Sequence, residues 1–334
     1  MELFDLARRL IDIESITPNE SAVGDFLWEE LNSLAKQFGG SADRMPVEAG
    51  RDNVFARFGE PVVVLSTHMD TVPPFIPARE DADHIWGRGA CDTKGIIAAM
   101  ITAARERLTA GRRNFGLLFV VGEERNSAGA LAAAQTPCGS RFLINGEPTE
   151  NKLALGSKGA LRFEIVAQGR MAHSAYPELG ESAIEKLLNA LERIRRMPLP
   201  VDERLGASTL NIGILQGGRA PNVIADEARA EIFIRVVGDV TDVRKQVAAA
   251  ASPDAEAQEV LFIPAVQLGS LDGIATTVVA FTTDIPAFNG AWGQPFLIGP
   301  GSIHVAHTSE ERIKKSELVE AVALYKRMVD MLSR

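Results

Sequence analysis

Short apolar runs separated by helix-like segments constrain this chain more than any other feature. In the first third, Asn53–Arg57, Val62–Ser66, Gly116–Val121 and Arg141–Ile144 are compact and rich in Val, Ile, Leu and Phe. Runs of that length and content read as strands buried on both faces, which need helices to cover them. The helical segments are present. Leu3, Leu6, Leu10 and Ile13 fall at helical spacing, Ala22–Leu34 reads as a second helix after a turn at Thr17-Pro18-Asn19, and Gly95–Thr109 as a third. Alternating strands and helices predict an α/β layer with a largely parallel sheet.

From about residue 158 the pattern changes. Leu161–Val166 alternates apolar and charged residues as a half-buried strand does, and a helix is expected over Gly180–Ile194. Strands at Thr209–Leu215 and Ala228–Val236, a helix near Val240–Ala251 and a strand near Glu259–Ala265 complete a β-α-β-β-α-β order, that of a split βαβ unit. The chain then returns to the first layer through a strand at Pro295–Ile298 and a final helix at Lys315–Leu332. The expected organisation is a discontinuous catalytic domain, 1–157 and 266–334, interrupted by a two-layer domain over 158–265. A chain of 334 residues has the length for two cores.

The net charge of -9 argues against nucleic acid as a partner, which calls for a basic face. Two cysteines, Cys91 and Cys138, are too few for a disulfide framework. The opening residues mix charge into a helical pattern and so do not read as a secretory signal. No run of roughly 18 apolar residues is available to span a bilayer. A cytoplasmic protein without a membrane partner is expected.

The chemistry collects where the apolar runs end. VVVLSTH ends at His68, LLFVVGEE at Glu123-Glu124, FLINGE at Glu147 and FLIGPGSIHVAH at His307. If the runs are parallel strands, their carboxyl ends share one edge of the sheet, where open α/β sheets bind ligands. Two histidines and three carboxylates (Asp92, Glu124, Glu147) suit zinc or another borderline divalent ion. Five side chains are too many for one catalytic zinc with an open position. With Asp92 bridging, they divide into three for each of two metals. In His68-Met69-Asp70, residues two apart on an extended segment point the same way, so Asp70 is placed to accept from the His68 imidazole. An isolated His-x-Asp is more often a surface pair, and an isolated Glu-Glu a solvated turn. Here Glu123-Glu124 follows LLFVV with only Gly122 between. Burial and like charge there would raise the carboxyl of a general base towards neutrality.

STHMDTVPP, GRGACDTKGIIAAM, VGEE, NGEPT, MAHSAYPELGESAI and GPGSIHVAHTSEE occur in the order in which M20 metallopeptidases carry similar blocks. The chain resembles that family from about Val62 to its C-terminus. The resemblance implies two Zn2+ ions, with Co2+ or Mn2+ as substitutes. His68 and Glu147 would hold one and Glu124 and His307 the other, with Asp92 bridging. It implies Glu123 as general base, Asp70 as the partner of His68, and the inserted domain as a lid through which a homodimer forms. His173 would stabilise the tetrahedral intermediate, in dimeric members from the other subunit. Asn222 and Arg235 would contact the substrate, the arginine through its carboxylate. Ala225 stands where the family often has proline, the segment before GPGSIHVAH is short, and Glu147 replaces the aspartate of several aminopeptidase and dipeptidase members.

The expected reaction is hydrolysis of the amide bond of an N-acyl amino acid, as in the acetylornithine deacetylases and succinyl-diaminopimelate desuccinylases. The alternative is a carboxypeptidase or dipeptidase acting on small peptides. More remote is a non-catalytic binding protein on the same fold. Cys91 and Cys138 read as packed thiols, and His84 and His304 as residues with no ligand role. The chain has no GxSxG elbow, P-loop or dinucleotide fingerprint.

Overall fold

The computed structural model describes residues 2–334. The chain divides into two compact units: residues up to Leu155 with Leu268–Thr277 and Thr283–Arg334, and Gly156–Gln267 with Val278–Thr282.

The first unit is built on a six-stranded mixed sheet. Its order is Ser41–Glu48, Arg51–Phe58, Phe115–Val120, Val63–His68, Phe142–Asn145 and Gln294–Leu297. The first two pairings are antiparallel and the other three parallel. Residues along the central strands alternate between two cores. Val63, Leu65, Leu117, Phe119 and Ile144 face a cluster completed by the helices Leu3–Ile11, Ser21–Phe38, Lys94–Thr109 and Lys315–Leu332. Val64, Leu118, Val120 and Leu143 face a smaller one with Ala130, Ala133, Phe288 and Trp292. Helices on both faces are what fully apolar strands require. Lys94–Thr109 is itself buried nearly all round, which its run of Ile and Ala permits.

The second unit is a four-stranded antiparallel sheet in the order Thr209–Gly217, Glu227–Val236, Gly159–Gln168, Glu256–Ile263. Leu161, Phe163, Ile165, Ile232 and Ile234 turn inward against Leu187, Leu191, Val243 and Val247 of its two helices, Ala183–Arg196 and Thr241–Ala251. Arg162, Glu164, Arg229 and Glu231 alternate with them on the other face and form ion pairs there. The helix expected from Gly180 begins at Ala183. The reason is local: Ser182 is extended and its hydroxyl accepts the Glu185 N–H at 3.3 Å, which fixes the first turn one residue later.

The turn leading into Lys94–Thr109 is close-packed. A Cβ on Gly95 would lie 2.3 Å from the Ala90 carbonyl oxygen, a backbone atom that cannot rotate away. Gly95→Ala is therefore expected to lower stability by about 1–3 kcal/mol. Urea unfolding of the two proteins measures it, and an unchanged midpoint would contradict the packing argument.

Candidate metal centre

The three inner parallel strands end at one edge of the first unit's sheet. His68 is the last residue of its strand and lies opposite Val120 in register. Glu123 and Glu124 come three and four residues after Val120, the end of the neighbouring strand, and Glu147 comes two residues after Asn145. Gly122, with φ +79°, makes the first of these turns possible, and its carbonyl accepts the Ser127 N–H at 2.8 Å. Asp92 comes from the loop just before the Lys94–Thr109 helix, and His307 from the loop after Gln294–Leu297.

These side chains meet. Asp92 places one oxygen 3.1 Å from His68 Nε2 and the other 3.2 Å from His307 Nε2. Glu124 lies 3.1 Å from the same His307 nitrogen. Ligand atoms of His68, Asp92 and Glu124 all fall within 4.8 Å of one another. A carboxylate with each oxygen turned to a different imidazole has the disposition of a ligand shared by two ions. Glu147 is buried at 4% exposure, and its Oε1 has no hydrogen-bond partner.

Asp70 holds this arrangement from behind. His68 Nδ1 sits 3.0 Å from the Asp70 carbonyl oxygen and 3.4 Å from its Oδ1, which assigns the ring proton to Nδ1 and frees Nε2. The Asp70 carboxylate also accepts the Glu123 N–H at 3.1 Å, the Glu124 N–H at 3.2 Å and the Thr17 hydroxyl at 2.6 Å. One carboxylate therefore orients a histidine and the peptide of the Glu123-Glu124 pair.

The electrostatics are severe. Burial pulls the His68 imidazole down, but its bonds to Asp70 and Asp92 outweigh this and hold it well above the ordinary range. Bonds to Asp92 and Glu124 raise His307 to about 10. Burial is the largest influence on Asp92, yet the two histidines overcome it and keep that carboxyl low. Burial pushes Glu123 and Glu147 well up, with neighbouring carboxylates adding to it. A sixth carboxylate, which the sequence reading did not single out, belongs to the cluster. Asp284 is 1% exposed and raised to about 7 by burial, and its field reaches Glu123 and Glu147. Ser127 eases its charge without completing a hydrogen bond to either oxygen.

With all six carboxylates ionised and both rings protonated the cluster would carry four negative charges, and the cost of that charge, which raises Glu123, Glu147 and Asp284, is one that two divalent cations would relieve. The orphaned Glu147 oxygen and the mixed nitrogen and oxygen donors fit the same occupant.

His173, Asn222 and Arg235 belong to the second unit. The His173 and Asn222 segments run together: His173 bridges to Val223, and the Ser174 N–H donates to the Asn222 carbonyl at 3.0 Å. The exposed His173 ring accepts the Ala175 N–H at Nδ1. Arg235, opposite Thr209 and Ala160 in its sheet, is half-buried. Its Nη1 has no partner, and among the described residues its guanidinium meets only the face of Phe233, at 4.7 Å. Cys91 is fully buried, and burial raises its thiol far above the range of a nucleophile. His84 pairs with Asp81 at 3.6 Å and His304 is exposed. Among the described residues no helix is long and apolar enough to cross a membrane.

The model of peptidase family M20/M25/M40 matches residues 64–331. A peptidase M20 domain-containing protein of Schizosaccharomyces pombe is 41% identical over 98% of this chain and 84% of its own length. A probable carboxypeptidase of Aspergillus terreus is 37% identical over 97% of this chain and 84% of its own. Among solved structures, a tripeptidase from Staphylococcus aureus superposes with a TM-score of 0.83 at 23% identity, covering 99% of this chain and 98% of that one.

Proposed function

The chain belongs to peptidase family M20/M25/M40 and is a hydrolytic enzyme, and from that premise we propose that it is a two-metal carboxypeptidase removing the C-terminal residue of a small peptide. The observation that carries this reading is Arg235. A half-buried guanidinium with no anionic partner of its own suits a substrate carboxylate, which its planar fork binds bidentately. The name of the 37% identical Aspergillus relative points the same way. It favours a peptide over the N-acyl amino acid that the sequence suggested first.

The metal ligands in this reading are His68 and Glu147 for one site, Glu124 and His307 for the other, and Asp92 for both. The donor set suits two zinc ions. Divalent ions there supply Lewis acidity that polarises the scissile carbonyl and makes water a better nucleophile. Glu123 takes the proton of the attacking water on its carboxylate and delivers it to the leaving amine nitrogen. Water oxygen thus ends on the new carboxyl group, and both products leave neutral in sum. Asp70 keeps His68 in one tautomer and holds Glu123 by its backbone. His173 donates to the developing oxyanion, Asn222 contacts the substrate backbone and Arg235 holds the terminal carboxylate.

A panel of dipeptides, tripeptides, C-amidated peptides and N-acetyl or N-succinyl amino acids tests the reading. Free C-termini should be cleaved and C-amidated ones spared. Equal cleavage of both would rule out a carboxypeptidase, and preference for the short acyl groups would return the deacylase. Arg235→Met should lower kcat/KM about 10- to 100-fold, mainly through KM, since a charge-assisted bond is worth about 1.5–3 kcal/mol. Arg235→Lys should recover part of it. Loss confined to kcat would place Arg235 elsewhere.

The second unit serves as a dimerisation domain, and the protein is cytoplasmic. Exposed Leu188 and Leu215 on that unit support the first, and two free thiols, Cys91 and Cys138, the second. Light scattering at assay concentration should give twice the chain mass.

A further inference from the structure

Arg88 and Glu311 form an ion pair at 2.5 Å, and they are 2% and 1% exposed. Burying two charges costs more than burying an apolar pair of the same size, so such a pair calls for a role beyond stability. Its other bonds indicate one. Glu311 Oε1 accepts the backbone N–H groups of Cys91 and Asp92, both at 3.3 Å. Its Oε2 takes Arg88 Nη1, which also donates to the Thr308 carbonyl at 3.3 Å, while Arg88 Nε donates to the Pro74 carbonyl at 3.3 Å. The pair therefore ties the backbone at Asp92 to the backbone beside His307. His307 itself has φ +63°, a conformation that a non-glycine residue holds only when its surroundings impose it. Between those two points lies the contact that joins the two loops, Asp92 Oδ2 at 3.2 Å from His307 Nε2.

We propose that Arg88 and Glu311 are positioning residues that clamp the Asp92 and His307 loops at the separation needed to bind two divalent cations. This rests on Asp92 as the shared ligand. Neither residue touches the reacting atoms, and each acts through the backbone it holds.

The test titrates metal-free protein with zinc chloride by calorimetry and follows its thermal unfolding without metal. The principal variant is the double replacement Arg88→Met with Glu311→Leu, which removes both charges of the pair together. It should unfold within a few degrees of the parent, yet bind the weaker zinc equivalent about 10- to 100-fold less tightly, the usual loss when a partner behind a ligand is removed. Glu311→Gln, whose amide oxygen still accepts the Asp92 N–H, should lose less. Parental affinity for both equivalents in the double variant would overturn the clamp. If the double variant does not fold, parental affinity in Glu311→Gln would overturn it, and a weakened second equivalent there would support it. Asp92→Asn serves as the control. If it also binds two equivalents as the parent does, the reading of Asp92 has failed, separately from the clamp.

Discussion

Glu123→Gln will lower kcat by about two to four orders of magnitude while two equivalents of divalent metal remain bound. Glutamine keeps the shape of the side chain and its place after Gly122. It also keeps the backbone N–H that donates to Asp70, because that bond does not involve the side chain. What it loses is the ability to accept a proton. The two readouts must therefore separate: metal content by elemental analysis unchanged, single-turnover rate on the preferred peptide sharply reduced. A variant that binds metal and turns over normally would remove Glu123 from the reaction and leave the base unassigned. Loss of both metal and turnover would instead make it a ligand, with Glu124 as the candidate base.

Asp92→Asn should be more damaging still, because it strikes both metal positions through one atom pair. The carboxylate offers one oxygen to the side of His68 and the other to the side of His307. An amide has a single oxygen, so one of those positions receives an N–H2 group that cannot bind a cation. At least one metal equivalent should be lost, and with it the several kcal/mol that a metal contributes to the transition state, a fall in kcat/KM of about 1,000-fold or more. Metal stoichiometry after dialysis and turnover after readdition of zinc measure both. Two tightly held equivalents with near-parental turnover would show that Asp92 is not shared. Treating the parent with chelator should abolish turnover, and stepwise zinc should restore it as the second equivalent binds.

Both predictions begin from residues visible in the chain alone. The apolar runs before His68, Glu123-Glu124 and Glu147 could be read without coordinates because a strand covered by helices on both faces has no room for polar side chains, so its end is marked by the return of polar residues. The split βαβ pattern was legible for the matching reason, since its strands alternate Leu161, Phe163 and Ile165 with Arg162 and Glu164. Where that signal is weak, the reading failed. The strand Ser41–Glu48 contributes SADRMPVE to the edge of the sheet, where one side is solvated and no apolar pattern is demanded.

Local patterning alone marks the alternation of strands and helices and the residue types that follow the apolar runs, because periodicity and the placement of polar residues are local properties. Tertiary structure alone decided the rest. Asp284 looks like the polar start of a four-residue helix, and only its burial makes it a sixth carboxylate beside Glu123 and Glu147. Arg88 and Glu311 lie 223 residues apart, and nothing in either neighbourhood marks them as partners. The unpaired guanidinium of Arg235 is likewise a fact of what surrounds it in the folded unit. Burial, the pairing of charges and the lack of a partner depend on residues distant in the chain, so they come into being only when the chain has folded.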